Sequence, residues 1–408
     1  MGKPNLFFST HMSYGFSSGS YWSTMISDLC CALDRCGVDC DLVEAMDNQG
    51  FQAFLGNAIR QRRQFIATFN FIVPFPDITV GGKTIFMQEL FAAQSVTIFL
   101  DHPVHLAPAI LRFEAGAKHH GYRPEPAPPP IYGVMEADHA VLLNDLGIGA
   151  ERIFIFPQAG PKSDATVLPL SQRPIDYLFH GTIADLSSED AFFLQHELHD
   201  QARRDAAHRV MEAVLSDRED VYAASKRCLD ECGQAVEGVL YVAEFARIMN
   251  VRMRLVRRWR LLSGLSSLNI HFCGDVADSF RAANPRGVYL GAKNFADVSD
   301  LVGQSKIVLN DTINLRDAAL MRFHYAMAQG CLMATESSAW FRSTYSNGQD
   351  VLLLDANQEH TDQLRCALDN LGAAQEIAYA GQAKQVKDHL WDHRIGKMLN
   401  AAGVPYQV

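Results

Sequence analysis

The sequence predicts an α/β protein of two doubly wound, Rossmann-like lobes, with an all-helical insertion in the second. Three observations predict it. Short apolar runs alternate with helical patterns over the first 157 residues, a Pro/Gly/Ser-rich stretch interrupts them, and the alternation then restarts. Strand and helix repeated at this spacing mean a parallel sheet with helices on both faces. At 408 residues the chain also exceeds what one compact core serves.

In the first lobe the strand candidates are "NLFFS" (5–9), "CDLVEA" (40–45), "QFIATFN" (64–70), "SVTIFL" (95–100), "HAVLLN" (139–144) and "RIFIFP" (152–157). Between the first two lies "GSYWSTMISDLCCALDRCG", an amphipathic helix that Gly37 ends. The segment "GYRPEPAPPPIYG" (121–133) reads as a surface loop, because prolines lack the N–H that a ladder needs.

The linker candidate is "FPQAGPKSDATVLPLSQRP" (156–174). It separates a first lobe, 1–160, from a second, 172–385. Strand candidates in the second are "IDYLFHG" (175–181), "LNIHFCG" (268–274), "GVYLG" (287–291), "SKIVLND" (305–311), "CLMATE" (331–336) and "DVLLLD" (350–355). The tail, 386–408, is amphipathic and helical, and is expected to close the second lobe or cross back to the first. Roughly 85 residues separate the first two strands of the second lobe, far beyond an ordinary crossover. Residues 187–264 therefore form a helical insertion. Its "RMRLVRRWR" sets Arg254, Arg257 and Arg258 on one helix face. That face is either solvated and ion-paired, or the region Arg252–Arg260 makes a peripheral contact with an acidic partner or membrane surface.

Composition narrows the function. A net charge of −10 and a pI near 5.8 exclude a general nucleic-acid binder, which needs a positive field. No apolar run reaches 18 residues, so no transmembrane segment is expected. The N-terminus has no secretory pattern, and a cytoplasmic location is expected. The nine cysteines, odd in number and set in predicted elements, read as reduced thiols. Cys36 with Cys40, and Cys228 with Cys232, lack a second Cys/His pair at zinc spacing. "HELH" (196–199) spaces its histidines by three rather than four. No metal and no cofactor are expected.

Ligands of open parallel sheets bind beyond the carboxyl ends of strands, where strand order reverses. For the first lobe, an order of 3-2-1-4-5 brings together the loops after strands one and four. The first loop carries Ser18, Gly19 and Ser20 before a helix, suited to an anion or to a plain N-cap. The same order sets His11 beside Asp101 and His102. A carboxylate beside an imidazole orients it as a general base. Alternatively, Asp101 caps a turn and the histidines line a cleft. In the second lobe, Gly181 and Thr182 at a strand end would let backbone approach a phosphate. Asn310, Asn314 and Arg322 add polar groups, with His324 beside them. Arg322 suits phosphate oxygens, or pairs with an acidic neighbour. A helix from about Asp317 to Gln329 is expected to aim its N-terminus at the ligand. A nucleoside diphosphate fits this set best.

These residues carry a resemblance. The stretch "IVLN" (Ile307–Asn310), the Arg322 helix ending in Ala326, Ala328 and Gly330, the strand Leu332–Thr335 and the close Gly348–Asp355 resemble group 1, CgeB-like glycosyltransferases of GT-B fold. The resemblance implies a nucleotide-sugar donor (a UDP-sugar by analogy) held mainly by the second lobe, an acceptor on the first, and no metal. Many relatives carry two glutamates eight positions apart; here Asp317 and Tyr325 stand at the matching places. Asp317 can still meet a sugar hydroxyl, whereas Tyr325 cannot accept two ribose bonds as a carboxylate does. The function expected is glycosyl transfer to a hydroxyl-bearing acceptor in the cleft between lobes. The alternatives are a sugar-nucleotide epimerase of the same fold and a non-catalytic nucleotide-sugar or partner binder.

Overall fold

A computed structural model describes residues 5–9, 21–43, 65–69, 78–80, 83–85, 94–117, 128–162, 167–186, 200–234, 238–355 and 360–406. The chain divides into two units, one of residues 1–157 with 391–408 and one of 158–390.

The first unit holds β1 (Asn5–Ser9), β2 (Asp39–Val43), β3 (Phe65–Phe69), β4 (Ile78–Val80), β5 (Lys83–Ile85), β6 (Gln94–Ile98), β7 (Ile131–Val134) and β8 (Ile153–Ile155). A small antiparallel pair, β4 with β5, stands apart. The other six form one parallel sheet in the order β2-β1-β3-β6-β7-β8. Its helices among the described residues include α1 (Tyr21–Arg35), α2 (Ala107–Ala117) and α3 (His139–Asp145). Phe99, Ile110, Tyr132, Val134, Leu143 and Ile148 pack one core here.

Three expectations for this unit are corrected. The sheet strands run 2-1-3-4-5-6, not 3-2-1-4-5, so β3 lies between β1 and β6. The loops after β1 and β6 therefore do not leave neighbouring strands, and strand order does not bring Asp101 next to the loop that carries His11. "HAVLLN" is the helix α3, because a short apolar run has no clear period and Gly147, at φ +84°, closes it as a helix end. The strand that takes its slot is β7, whose four buried residues emerge directly from the Pro-rich segment.

The second unit contains β9 (Ile175–His180), β10 (Ile270–Cys273), β11 (Val288–Gly291), β12 (Ser305–Asn310), β13 (Leu332–Glu336) and β14 (Leu352–Leu354). They form one parallel sheet in the order β11-β10-β9-β12-β13-β14, that is 3-2-1-4-5-6 within the unit. The insertion supplies α4 (Gln201–Leu215), α5 (Val221–Glu231) and the 25-residue α6 (Val239–Ser263). After it come α7 (Asp278–Ala283), α8 (Phe295–Gly303), α9 (Met321–Ala328), α10 (Ala339–Thr344), α11 (Thr361–Asp369) and α12 (Leu371–Asp388).

Apolar residues on both sides of these strands explain their unbroken hydrophobic runs. One face packs Tyr177, Phe179, Phe272, Ile307 and Leu309 with Leu261 and Leu262 from the end of α6 and Leu265 just beyond it. The other packs Leu178, Val308 and Met333 with Phe323 and Met327 of α9. The last third of α6 thus serves as the crossover helix of an ordinary βαβ unit. At about 37 Å the helix is far longer than that task needs. At the amino ends of the strands, Arg173 is almost fully buried and donates to the carbonyls of Leu168, Ser305 and Gln329. The last helix, α13 (Trp391–Ala401), belongs with the first unit, where Trp391 stacks on Phe156 and Asp392 pairs with Arg35 at 2.6 Å.

Candidate functional site

The order reversal of the second sheet lies between β9 and β12, which are paired. The carboxyl ends of these two strands are His180 and Asn310, and the chain there turns into the loops that begin with Gly181 and Asp311. Gly181 N donates to Cys273 O at 2.9 Å, tying the end of β9 to that of β10. Gly274 follows with φ +137°, and a Cβ there would lie 2.6 Å from Gly181 O. Only glycine lets the two strand ends approach this closely. Gly274→Ala should cost about 1–3 kcal/mol through backbone strain and that clash. Gly291→Ala is the control, because Gly291 has φ +71° but no atom near its missing Cβ. Thermal unfolding of the two variants checks the difference; equal losses would mean the close approach is immaterial.

Arg322, in the first turn of α9, is buried and fully engaged. Its Nε donates to Asn310 Oδ1 at 3.0 Å, Nη1 to His180 O at 3.2 Å and Nη2 to Asp311 O at 3.1 Å. Nη2 also pairs with the Asp311 carboxylate. Asn310 Nδ2 bonds Thr335 on β13, so the residue acts as a strut for Arg322. The acidic neighbour anticipated as the alternative partner is therefore Asp311, the last residue of the "SKIVLND" run.

Asp311 has a second cation. Arg258 of α6 donates from Nε to Asp311 Oδ2 at 2.9 Å, and its Nη1 bonds the carbonyl of Thr182. Both guanidinium groups lie over the Phe179 ring, at 5.5 and 5.6 Å from its centre. Burial pushes the Arg258 guanidinium down to about 10, although Glu336 opposes the shift. His180 stands in the same field. Burial first, and then the charges of Arg322 and Arg258, hold its imidazole down at about 3. It is neutral at physiological pH. Arg258, Arg322, Asp311 and the neutral His180 together carry one uncompensated positive charge, which suits an anionic ligand at these strand ends.

Arg257, next along α6, enters a second buried network. It reaches Glu336 Oε1 at 2.8 Å, Asp217 Oδ1 at 2.9 Å and Asn314 Oδ1 at 3.1 Å. Glu336 Oε2 accepts from Thr312 N and Oγ1 at 3.0 and 2.9 Å. Ile313 and Asn314 have φ of +45° and +70°, so the loop after β12 is held in a left-handed bend. Asn314 Nδ2 closes it onto Asn250 of α6. The basic stretch of α6 is thus not a solvated face at Arg257 and Arg258, and these two residues make no peripheral contact: both point into the strand ends of their own unit.

The other anticipated residues disperse. The helix begins at Met321 rather than Asp317, and its first amide is capped by Gln158 Oε1. Asp317 lies exposed in the preceding loop, and Thr182 is exposed after β9. His324 turns away from Arg322, as two residues on a helix must. It bonds Gln385 of α12 at 2.7 Å and packs among Phe323, Trp340 and His389. Tyr325 is buried edge-on to Phe295. In the first unit, His102 is buried, accepts from Val104 N through Nδ1 and lies 4.2 Å from the His139 ring. Asp101 is partly exposed beside it. His11, Ser18, Gly19, Ser20 and the "HELH" stretch lie outside the described residues. None of the eight cysteines whose side chains are described forms a disulfide.

Comparison with known proteins bears out the resemblance to glycosyltransferases. Residues 252–400, which include Arg257, Arg258, Asp311 and Arg322, match a family described as glycosyl transferase-like. That description is broader than the CgeB-like subgroup. No curated protein matches the chain. Among solved structures it is similar to Anabaena HepE in complex with UDP and glucose, at 10% identity over 98% of this chain and 100% of that one, TM-score 0.48. It is similar to sucrose-phosphate synthase from Thermosynechococcus elongatus at 9% identity over 98% of each chain, TM-score 0.49. A glycosyltransferase from Rickettsia africae gives 10% over 98% of each, TM-score 0.48. The fold assignment rests on the two parallel sheets and their orders. Among the described residues no helix is long and apolar enough to cross a membrane.

Proposed function

We propose that this protein is a glycosyltransferase that takes a sugar from a nucleotide-activated donor, a UDP-sugar first among the candidates, and passes it to a hydroxyl-bearing acceptor. One observation carries the reading. The stretch that matches the glycosyl transferase-like family includes three of the charged residues, Arg258, Asp311 and Arg322, that meet at the order reversal of the second sheet. A diphosphate leaving group develops negative charge as the glycosidic bond breaks, and fixed cations stabilise it without reorganising. In this reading the guanidinium charge fixed at the strand ends does that work and no metal is needed. The same reading assigns Gly181, Thr182 and the bend at Asn314 to the phosphates and Asp317 to a donor hydroxyl. The group that activates the acceptor is sought among Asp101, His102 and His11, whose types suit general-base work. A cytoplasmic location is part of the same reading.

The test is a panel of UDP, GDP, dTDP and CMP followed by thermal unfolding. A ligand bound only by the folded state stabilises it by RT ln(1 + [L]/Kd), about 2.7 kcal/mol at a hundredfold excess over Kd. One nucleotide should raise Tm, and the rise should survive EDTA. If no nucleotide moves the transition the donor reading is lost; if EDTA abolishes the rise, only its metal-free part is. Incubation with the matching nucleotide sugar then separates the functions. Transfer or hydrolysis supports this reading, an isomerised donor points to an epimerase, and binding without turnover points to a binding protein.

A further inference from the structure

The strand-end site holds two arginines, and their hydrogen bonds differ. Arg322 spends Nε, Nη1 and Nη2 on Asn310, His180 and Asp311 of its own sheet. Arg258 spends Nε on Asp311 and Nη1 on Thr182 O, while its Nη2 is bonded to none of the described residues. Its side chain is also the more accessible of the two, at 16% against 10%. Asp311, fully buried between them, cannot neutralise both. We infer that Arg258, from the inserted helix α6, is the residue that grips the anionic part of the donor, and that Arg322 is a positioning residue which holds Asp311 and the strand ends in place.

The fold prepares Arg258 for this. Three consecutive residues staple α6 across the carboxyl edge of the sheet. Arg257 bonds Asn314 in the loop after β12 and Glu336 at the end of β13. Arg258 bonds Asp311 and Thr182, in the loops after β12 and β9. Trp259 Nε1 donates to Ala184 O at 2.9 Å, further along the loop after β9. A long flexible side chain is thereby fixed before any ligand arrives, and the ordering cost is met in folding rather than in binding. The length of α6 beyond its crossover role also gains a reason. The first two thirds of the helix, with α4 and α5 packed on it, brace the turn that carries Arg258. The insertion thus belongs to the site and is not a separate module.

This rests on the donor reading above, and the experiment separates the two. The full chain and its Arg258→Ala, Arg258→Lys and Arg322→Lys variants are titrated calorimetrically with the nucleoside diphosphate chosen by the panel, the corresponding nucleoside, and inorganic pyrophosphate. Arg258→Ala should weaken the nucleoside diphosphate and pyrophosphate alike, by about 10- to 100-fold, the worth of a charge-assisted hydrogen bond. Nucleoside affinity should not move. Arg258→Lys should recover part of the loss, which a merely structural role would not produce. Arg322→Lys should lower Tm more than it lowers affinity, because its geometry serves the fold. Asp311 keeps Arg322 as a partner when Arg258 is removed, so the alanine variant should fold; if it does not, Arg258→Gln carries the comparison. A wild-type chain that binds while Arg258→Ala binds equally well overturns this inference alone. A wild-type chain that binds neither the diphosphates nor pyrophosphate overturns the donor reading and this inference with it.

Discussion

Arg257→Met is expected to lower the stability of the folded chain by about 3–5 kcal/mol, the cost of breaking a buried ion network from one side. Arg257 and Glu336 are almost wholly buried, at 4% and 2% side-chain exposure, and Asp217 is close to it at 11%. Methionine fills the volume and removes the nearest cation from both carboxylates, leaving Asp217 only the more distant Arg342 at 3.9 Å. Glu336 keeps the two bonds from Thr312, but its Oε1 loses the guanidinium. Asp217 is already pushed above the usual carboxylate range by burial, even with Arg257 opposing the shift. The variant should push it further. A carboxylate whose folded pKa is raised takes up protons on folding, so the deficit should be largest at pH 8 and shrink as pH falls towards 5. Urea unfolding followed by tryptophan fluorescence reads both effects. Adding Glu336→Gln and Asp217→Asn to the methionine variant should recover part of the loss. A loss under about 1 kcal/mol at pH 8 would mean that water, not burial, sets the strength of this network.

Part of that network was legible in the sequence and part was not, for a physical reason. Strands buried on both faces are continuous apolar runs, so each strand of the second sheet could be located within a residue or two. The run "HAVLLN" obeyed the same rule and is a helix, because six apolar-rich residues do not distinguish a buried strand from a buried helical turn. Strand order has no local signal at all. The reversal assumed for the first sheet occurs in the second, and the first places β3 beside β1. The site divides in the same way. Arg322 and Asn310 stood out because they flank one strand end. Arg257 and Arg258 stood out only as a basic helix face and not as part of the site, because their partners Asp217, Asp311 and Glu336 lie 40 to 79 residues away. One local signal was available. Leu255, Val256, Leu261 and Leu262 surround the arginines on α6 and are buried, so little of that turn was left to be a solvated face.

His180 gives the second large effect. Mild acid should destabilise the wild-type chain more than a His180→Gln variant, with the gap widening by up to about 1.4 kcal/mol per pH unit, one proton's worth. The sign follows from the site. In the folded chain burial and the charges of Arg322 and Arg258 hold His180 down at about 3, whereas its ordinary value is 6.5. Between these values the unfolded chain binds a proton that the folded chain refuses. This contribution is fully present above pH 6.5 and is lost progressively as pH falls towards 3. Glutamine of similar reach carries no such proton. Carboxylates elsewhere titrate alike in both proteins and cancel in the difference. Urea midpoints at pH 7.5, 6.0, 5.0 and 4.5 measure the gap. It should be near constant above pH 7 and then move in favour of the variant. Parallel curves across the whole range would show that His180 accepts its proton in the folded state, and hence that the two guanidinium groups are not positioned to repel it. Such a result would also remove the positive field on which anion binding at this strand end depends.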